Sequence, residues 1–161
     1  MDWHPNKDEA MDCLHQAYDL QMKGRIEEAV QLYRKSLELY PTAEAHTFLG
    51  WSYSVQGRHE DAINECKKAI EVDPEFGNPY NDIGSYLIEK GQFDAAIPWL
   101  EKAIQAKRYE SYCYPHYNLG RIYEQKGNWF RALESYQNSL NSNPDYTLAA
   151  RAASRIKGYL N

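Results

Sequence analysis

The sequence has little of what most functional classes require. Its three cysteines in 161 residues are an odd number and cannot build a disulfide framework. No apolar run approaches the roughly 20 residues of a membrane span, and mean hydropathy is low at -0.77. Net positive charge is absent too: 18 Lys and Arg face 23 Asp and Glu, giving -5 and an isoelectric point near 5.5. Nucleic acid needs a cationic face, so no nucleic-acid partner is expected, and no membrane partner either. The opening "MDWHPNKDEAMD" is acidic and polar and does not read as a secretory signal. These features together lead us to expect a soluble protein of a reducing compartment, the cytoplasm.

Catalytic signatures are equally scarce. There is no Gly-rich phosphate loop, no His-Glu-x-x-His and no Gly-x-Ser-x-Gly. Cys113 and His116 lie three apart at a helix start, but a zinc site needs three or four ligands, so no metal is expected there. Cys66 and Cys13 fall at packing positions, and no cysteine has an evident base beside it. The expectation is a non-enzyme with no cofactor. His46 and His116 share one helix-packing slot, and His59 occupies the slot of Ile26, Phe93 and Trp129. All three are read as structural, as are Trp99 and Trp129.

Regular punctuation is what the chain does have. Glycines 24, 57, 91 and 127 each end an amphipathic run, and Pro41, Pro74 and Pro144 close others. The segments between are about three to four helical turns long, and no stretch alternates with strand period. The boxes "FLGWSY", "DIGSYL" and "NLGRIY" place Gly50, Gly84 and Gly120 at spacings of 34 and 36. A glycine and then an alanine follow each: Gly57 and Ala62, Gly91 and Ala96, Gly127 and Ala132. The first segment follows with Gly24 and Ala29, and Ala17 stands in its box.

This pattern resembles the tetratricopeptide repeat over about residues 10–146. The resemblance implies an all-α, right-handed solenoid of four helix-turn-helix units, near 10–42, 43–76, 77–112 and 113–146, closed by a capping helix near 146–160. First helices are expected near 7–23, 43–56, 78–90 and 114–126, and second helices near 26–39, 59–72, 93–106 and 129–141. The box glycines let paired helices approach, and Ala62, Ala96 and Ala132 supply the matching small surface. A solenoid end exposes an apolar face. The last helix should cover it with Leu148, Ala152, Ile156 and Tyr159, with Arg151, Arg155 and Lys157 turned away. At the other end, Trp3 and Pro5 precede a candidate capping box of Asn6 and Glu9.

One helix breaks the usual pattern. At about 100° per residue, His46, Leu49, Gly50 and Tyr53 form a core stripe, yet Phe48 and Trp51 fall on the opposite face, where charges normally sit. In the tetratricopeptide family that face lines a concave groove. The same offsets in the other units give His15 and Tyr18, then Asp82 and Ser85, then Asn118 and Arg121. Asn81, Tyr114 and Tyr117 lie beside them. These eleven residues are the candidate partner-binding strip, with Trp51, Tyr117, Asn118 and Arg121 expected at least partly exposed. Aromatics with polar handles, and Arg, are enriched in interface hot spots. The Lys, Arg and Asn clamp of family members that bind acidic tails has no basic residue at the matching positions here, and Asp82 would repel a carboxylate.

The expected function is therefore a protein-interaction module. Counting Glu44, Asp82, Glu89 and Glu124 against Arg121, its partner should be a neutral or basic segment with apolar anchors. A homo-oligomer built through the groove or the end faces is the alternative. The segment "AKRYESYCYPHY" (residues 106–117) lacks the closing proline and carries two extra residues. It should either bulge as a loop or lengthen the helix before it. It is either a tolerated insertion or one wall of the groove, bringing Lys107, Arg108 and several tyrosines to the edge.

Overall fold

The computed structural model describes residues 4–161, so Trp3 lies outside the described residues. Among these, nine helices follow one another: α1 (Lys7–Met22), α2 (Ile26–Leu39), α3 (Ala43–Val55), α4 (His59–Val72), α5 (Asn78–Glu89), α6 (Phe93–Gln105), α7 (Cys113–Gln125), α8 (Trp129–Ser142) and α9 (Thr147–Leu160). Each odd helix from α1 to α7 packs on the even helix after it, and successive pairs stack through α2–α3, α4–α5 and α6–α7. The odd helices also touch one another, α1 to α3, α3 to α5 and α5 to α7. The architecture is the all-α solenoid expected from the repeat.

The turns inside each pair are the same device used four times. Gly57 has φ +76, a conformation open to glycine because it lacks a Cβ. Its N–H donates to the Ser54 carbonyl at 2.9 Å, and the Arg58 N–H donates to the Tyr53 carbonyl at 2.9 Å. This double closure satisfies the helix's last carbonyls. Gly24, Gly91 and Gly127 repeat it.

Close approach within each pair fixes the faces. A Cβ on Gly84 would lie 2.4 Å from a Leu100 methyl, and one on Gly120 would lie 2.4 Å from the Tyr136 ring. Leu100, Tyr136, Ala62, Ala96 and Ala132 are fully buried. Cys66 takes the same slot against Gly50, and Tyr33 takes it in the first unit. The two tyrosines carry hydroxyls into the core, and both are satisfied. Tyr33 donates to Gln21 Oε1 and Tyr136 to Glu124 Oε2, each at 2.6 Å. All three cysteines are buried and free. His46 meets Glu65 at 2.7 Å, and His116 is half-buried, which lowers its pKa.

Both ends differ from expectation. Asn6 has a helical backbone (φ -97, ψ 0) and makes no side-chain cap bond. A capping box needs an extended residue there. Glu9 instead pairs with Lys35 at 3.1 Å. In α9 the buried stripe is Ala149, Ala152, Ala153 and Ile156, while Leu148 and Tyr159 are exposed. The helix is rotated so that small alanines seat it closely on α8. Arg155 does not turn away but holds Glu124 with two bonds of 2.9 and 2.8 Å.

Residues 106–112 form a docked loop ahead of α7, and α6 is not lengthened. The Arg108 N–H donates to the Glu75 carbonyl at 2.9 Å, and the Gly77 N–H donates to the Arg108 carbonyl at 3.1 Å. The extra residues thus run as one parallel bridge beside the α4–α5 turn. Tyr109 is buried over Gly77, where a Cβ would come within 2.4 Å of its ring. Arg108 is not a free groove cation. It lies over the Phe76 ring and ion-pairs with Glu44 and Asp73, both at 2.7 Å.

This geometry separates two neighbouring positions. Gly84→Leu should cost about 1–3 kcal/mol by overpacking against Leu100, whereas Ser85→Leu on the opposite side should change stability by less than about 0.5 kcal/mol. Thermal unfolding followed by circular dichroism should show a lowered Tm for the first only, and equal losses would mean the faces are reversed.

Candidate functional site

Fixing Gly50 and Gly84 against their second helices turns the opposite sides of α3 and α5 toward each other. Between them lies a cleft of about 660 Å³. α3 supplies an apolar stripe, Phe48, Trp51 and Val55, at offsets of three and four. α5 supplies a polar one, Asn78, Asp82, Ser85 and Glu89, at offsets of four, three and four. Tyr114, at the start of α7, closes one end. Trp51 keeps 37% of its surface exposed and Tyr114 keeps 44%. Phe48 is half-buried, with its ring 5.3 Å from Tyr18 and 6.1 Å from Tyr33.

Six of the eleven candidate residues meet in this cleft: Phe48, Trp51, Asn81, Asp82, Ser85 and Tyr114. Tyr117 and Arg121 line a second, more polar cleft of about 440 Å³, with Glu124, Tyr136 and Arg155. His15 and Tyr18 are exposed on α1 and line neither. Tyr18 serves instead to support Phe48.

Asn118 departs from expectation. It is buried, as is Asn81, because the two amides satisfy each other. Asn118 Nδ2 donates to Asn81 Oδ1 at 3.1 Å. Arg121 donates to Asn118 Oδ1 and to Glu89 Oε1, both at 3.2 Å. This chain of bonds crosses from α5 to α7, and Glu89 lines both clefts. The continuous strip expected from the sequence is thus two clefts with a polar divide.

His59, read as structural, lines the first cleft and packs on Tyr86 at 6.3 Å. Its Nδ1 is buried without a partner. The residue follows the Gly57 turn directly, and that adjacency to α3 is the signal that could have placed it. Asn78 lies one turn before Asp82 and was legible from the same offset. Trp129, expected to be packing, is 37% exposed, with its ring 5.5 Å from that of Tyr159.

The charge balance also differs. Glu44 is engaged by Arg108, Glu89 by Arg121 and Glu124 by Arg155. Among the described residues no cation pairs with Asp82. The residue is half-buried, and desolvation of its carboxyl by the surrounding protein pushes it up to about 7, partly offset by Asn81. No described helix is long and apolar enough to cross a membrane.

Models of the tetratricopeptide repeat match residues 43–76, residues 113–146, and residues 23–42 with 78–109. Type IV pilus assembly protein PilF of Pseudomonas aeruginosa is 29% identical over 139 residues, 85% of this chain and 55% of that protein. A solved structure from the functional characterisation of P. aeruginosa PilF superposes with a TM-score of 0.86 at 26% identity, covering 93% of this chain and 68% of that one. Small glutamine-rich tetratricopeptide repeat-containing protein 2 of Mycosarcoma maydis is 30% identical over 78 residues, 48% of this chain and 22% of that protein. A crystal structure of MamA gives a TM-score of 0.73 at 26% identity, covering 94% of this chain and 80% of that one. The chain spans 55% and 22% of the two curated relatives' lengths.

Asp82 makes the stability of the fold depend on pH in a defined direction. Its folded pKa lies above the unfolded value, so the folded state holds the extra proton between about 4 and 7. The destabilisation grows as pH rises through that window and is constant above it. Asp82→Asn should therefore raise Tm by a few degrees at pH 8 and by less at pH 5, measured by circular dichroism in matched buffers. A gain equal at both pH values would show that Asp82 titrates normally.

Proposed function

The chain belongs to the tetratricopeptide repeat family, and on that premise we propose that it is a non-catalytic interaction module holding a segment of a partner protein in the α3–α5 cleft. The observation that carries this reading is the exposure of Trp51 and Tyr114 in one concave site. Large rings held at a cleft by a rigid helical frame lose little freedom on binding, and such rings are the usual anchors of interfaces. The partner segment is neutral or basic with apolar side chains. Phe48, Trp51 and Val55 offer apolar contact, while Asp82 and Glu89 disfavour an acidic one.

The test is selection from a displayed library of random 12-residue peptides against the full chain. Peptides should emerge whose affinity falls about tenfold or more with Trp51→Ala and with Tyr114→Ala, while helical content is kept. Hits dominated by acidic sequences, or indifferent to both substitutions, would refute the cleft as the binding site.

A second reading, self-assembly through an end face, draws on one feature. The rings of Trp129 and Tyr159 lie 5.5 Å apart at the last helices, and Phe130, next to Trp129 in α8, is 76% exposed. Apolar patches of this kind favour association. Light scattering over a hundredfold concentration range should show mass rising with concentration, and Phe130→Ser should abolish the rise. A constant monomer mass would remove this reading.

A further inference from the structure

The first cleft has one unmet charge, and its surroundings define what would meet it. Its lining contains two carboxylates, Asp82 and Glu89, and among the described residues no Lys or Arg. Glu89 is already held by Arg121. Asp82 sits two turns earlier, about 10 Å along α5 at a rise of 1.5 Å per residue. It lines the same cleft as Trp51, and among the described residues no cation lies within ion-pair distance of it. The other three groove-side carboxylates, Glu44, Glu89 and Glu124, each have an arginine. The one at the centre of the concave site does not.

We propose that this site takes one lysine or arginine side chain of the partner segment, with Asp82 as its counter-ion and Trp51 as the surface that carries its aliphatic stem. The inference rests on the cleft reading given above and narrows it to a basic anchor. Long cationic side chains lay their methylenes on apolar surface while the charged head reaches a polar group. Here the apolar stripe of α3 and the polar stripe of α5 offer both within one cleft. An indole face beside the cation adds further attraction. An acidic side chain would meet Asp82 and Glu89 with no cation to receive it. A neutral one would leave Asp82 desolvated and uncompensated, which is costly.

The titratable groups around Asp82 are Tyr86 on its own helix, Cys66 from α4 and Tyr109 from the docked loop. His59, Glu89 and Tyr114 lie along the same cleft. Of these, Cys66, Tyr86 and Tyr109 are buried and held protonated and neutral by that burial; their ionised forms would be anions, so none can act as counter-ion to Asp82. A bound cation should stabilise the ionised form of Asp82 and draw its pKa down from about 7.

The experiment uses the peptides selected above. Binding peptides should share one Lys or Arg at a fixed position beside an apolar residue. Replacing that residue by Gln should cost about tenfold in Kd with the wild-type chain, and less than about twofold with Asp82→Asn. The carboxyl carbon of Asp82, followed by NMR, should titrate at lower pH in the complex than in the free chain. If binding needs Trp51 but the peptides share no basic residue, or the Gln replacement costs the same in both proteins, the basic anchor is refuted and the cleft reading survives. If no selected peptide depends on Trp51, both fall. The NMR titration needs only the wild-type chain, so an unchanged Asp82 pKa in the complex overturns the proposal even if a substituted chain misfolds.

Discussion

The close contact between the two helices of each unit is the constraint from which the rest of this structure follows. At Gly50, Gly84 and Gly120 there is no room for a Cβ without moving a buried neighbour. The contact therefore fixes the rotation of each first helix about its axis. Once that rotation is set, the residues two before and one after the glycine cannot choose their surroundings freely. Phe48, Trp51, Asp82 and Ser85 are placed in the cleft by the glycine beside them, not by any affinity of their own for it. A core contact worth a few kcal/mol thus decides which side chains a partner would meet.

The same constraint explains how the 36-residue spacing is absorbed. Stacking needs the start of α7 to meet α5 and α6 as α5 meets α3 and α4. Two extra residues have to leave the solenoid without disturbing that register. They do so as a strand-like bridge to the preceding turn, with Tyr109 laid over Gly77 and Arg108 shared between Asp73 and Glu44. The glycine at 77 is what lets a tyrosine ring close the gap. The basic residues of this segment are largely consumed by intramolecular pairing, and of its tyrosines Tyr114 lines the first cleft and Tyr117 the second.

Much of this is legible in the sequence. The helix boundaries fall within about two residues of those read from punctuation, because each boundary is set by a local cause: a glycine that must take positive φ, or a proline that cannot continue a helix. The exposure of Trp51 was legible from its angle to Gly50. What failed to show were features that depend on partners distant in the chain. Asn118 reads as a surface amide because its sequence neighbours say nothing of Asn81, 37 positions away. The rotation of α9 depends on how alanines fit α8, and Leu148 looked the better core residue on hydrophobicity alone. Asn6 carries the right side chain for a cap but not the backbone angle. His59 was assigned by the slot it shares with other units, yet it lies beside the first cleft, where that slot opens onto the groove.

The paired amides also bear on the cleft's rigidity. Asn81, Asn118, Arg121 and Glu89 tie α5 to α7 by bonds that are largely buried at the amides and cost little to keep, since each polar group has its partner. A groove between helices can widen or close as units slide, and that freedom has to be given up when a ligand binds. A hydrogen-bonded tie from α5 to α7, beside the cleft, removes part of it beforehand. On the α3 side, Tyr18 and Tyr33 brace Phe48 in the same manner. The cleft is therefore held from both sides, with Trp51, Tyr114 and Asp82 left as the members whose contacts are incomplete. In the proposed binding mode these three side chains are the ones whose contacts a partner would complete.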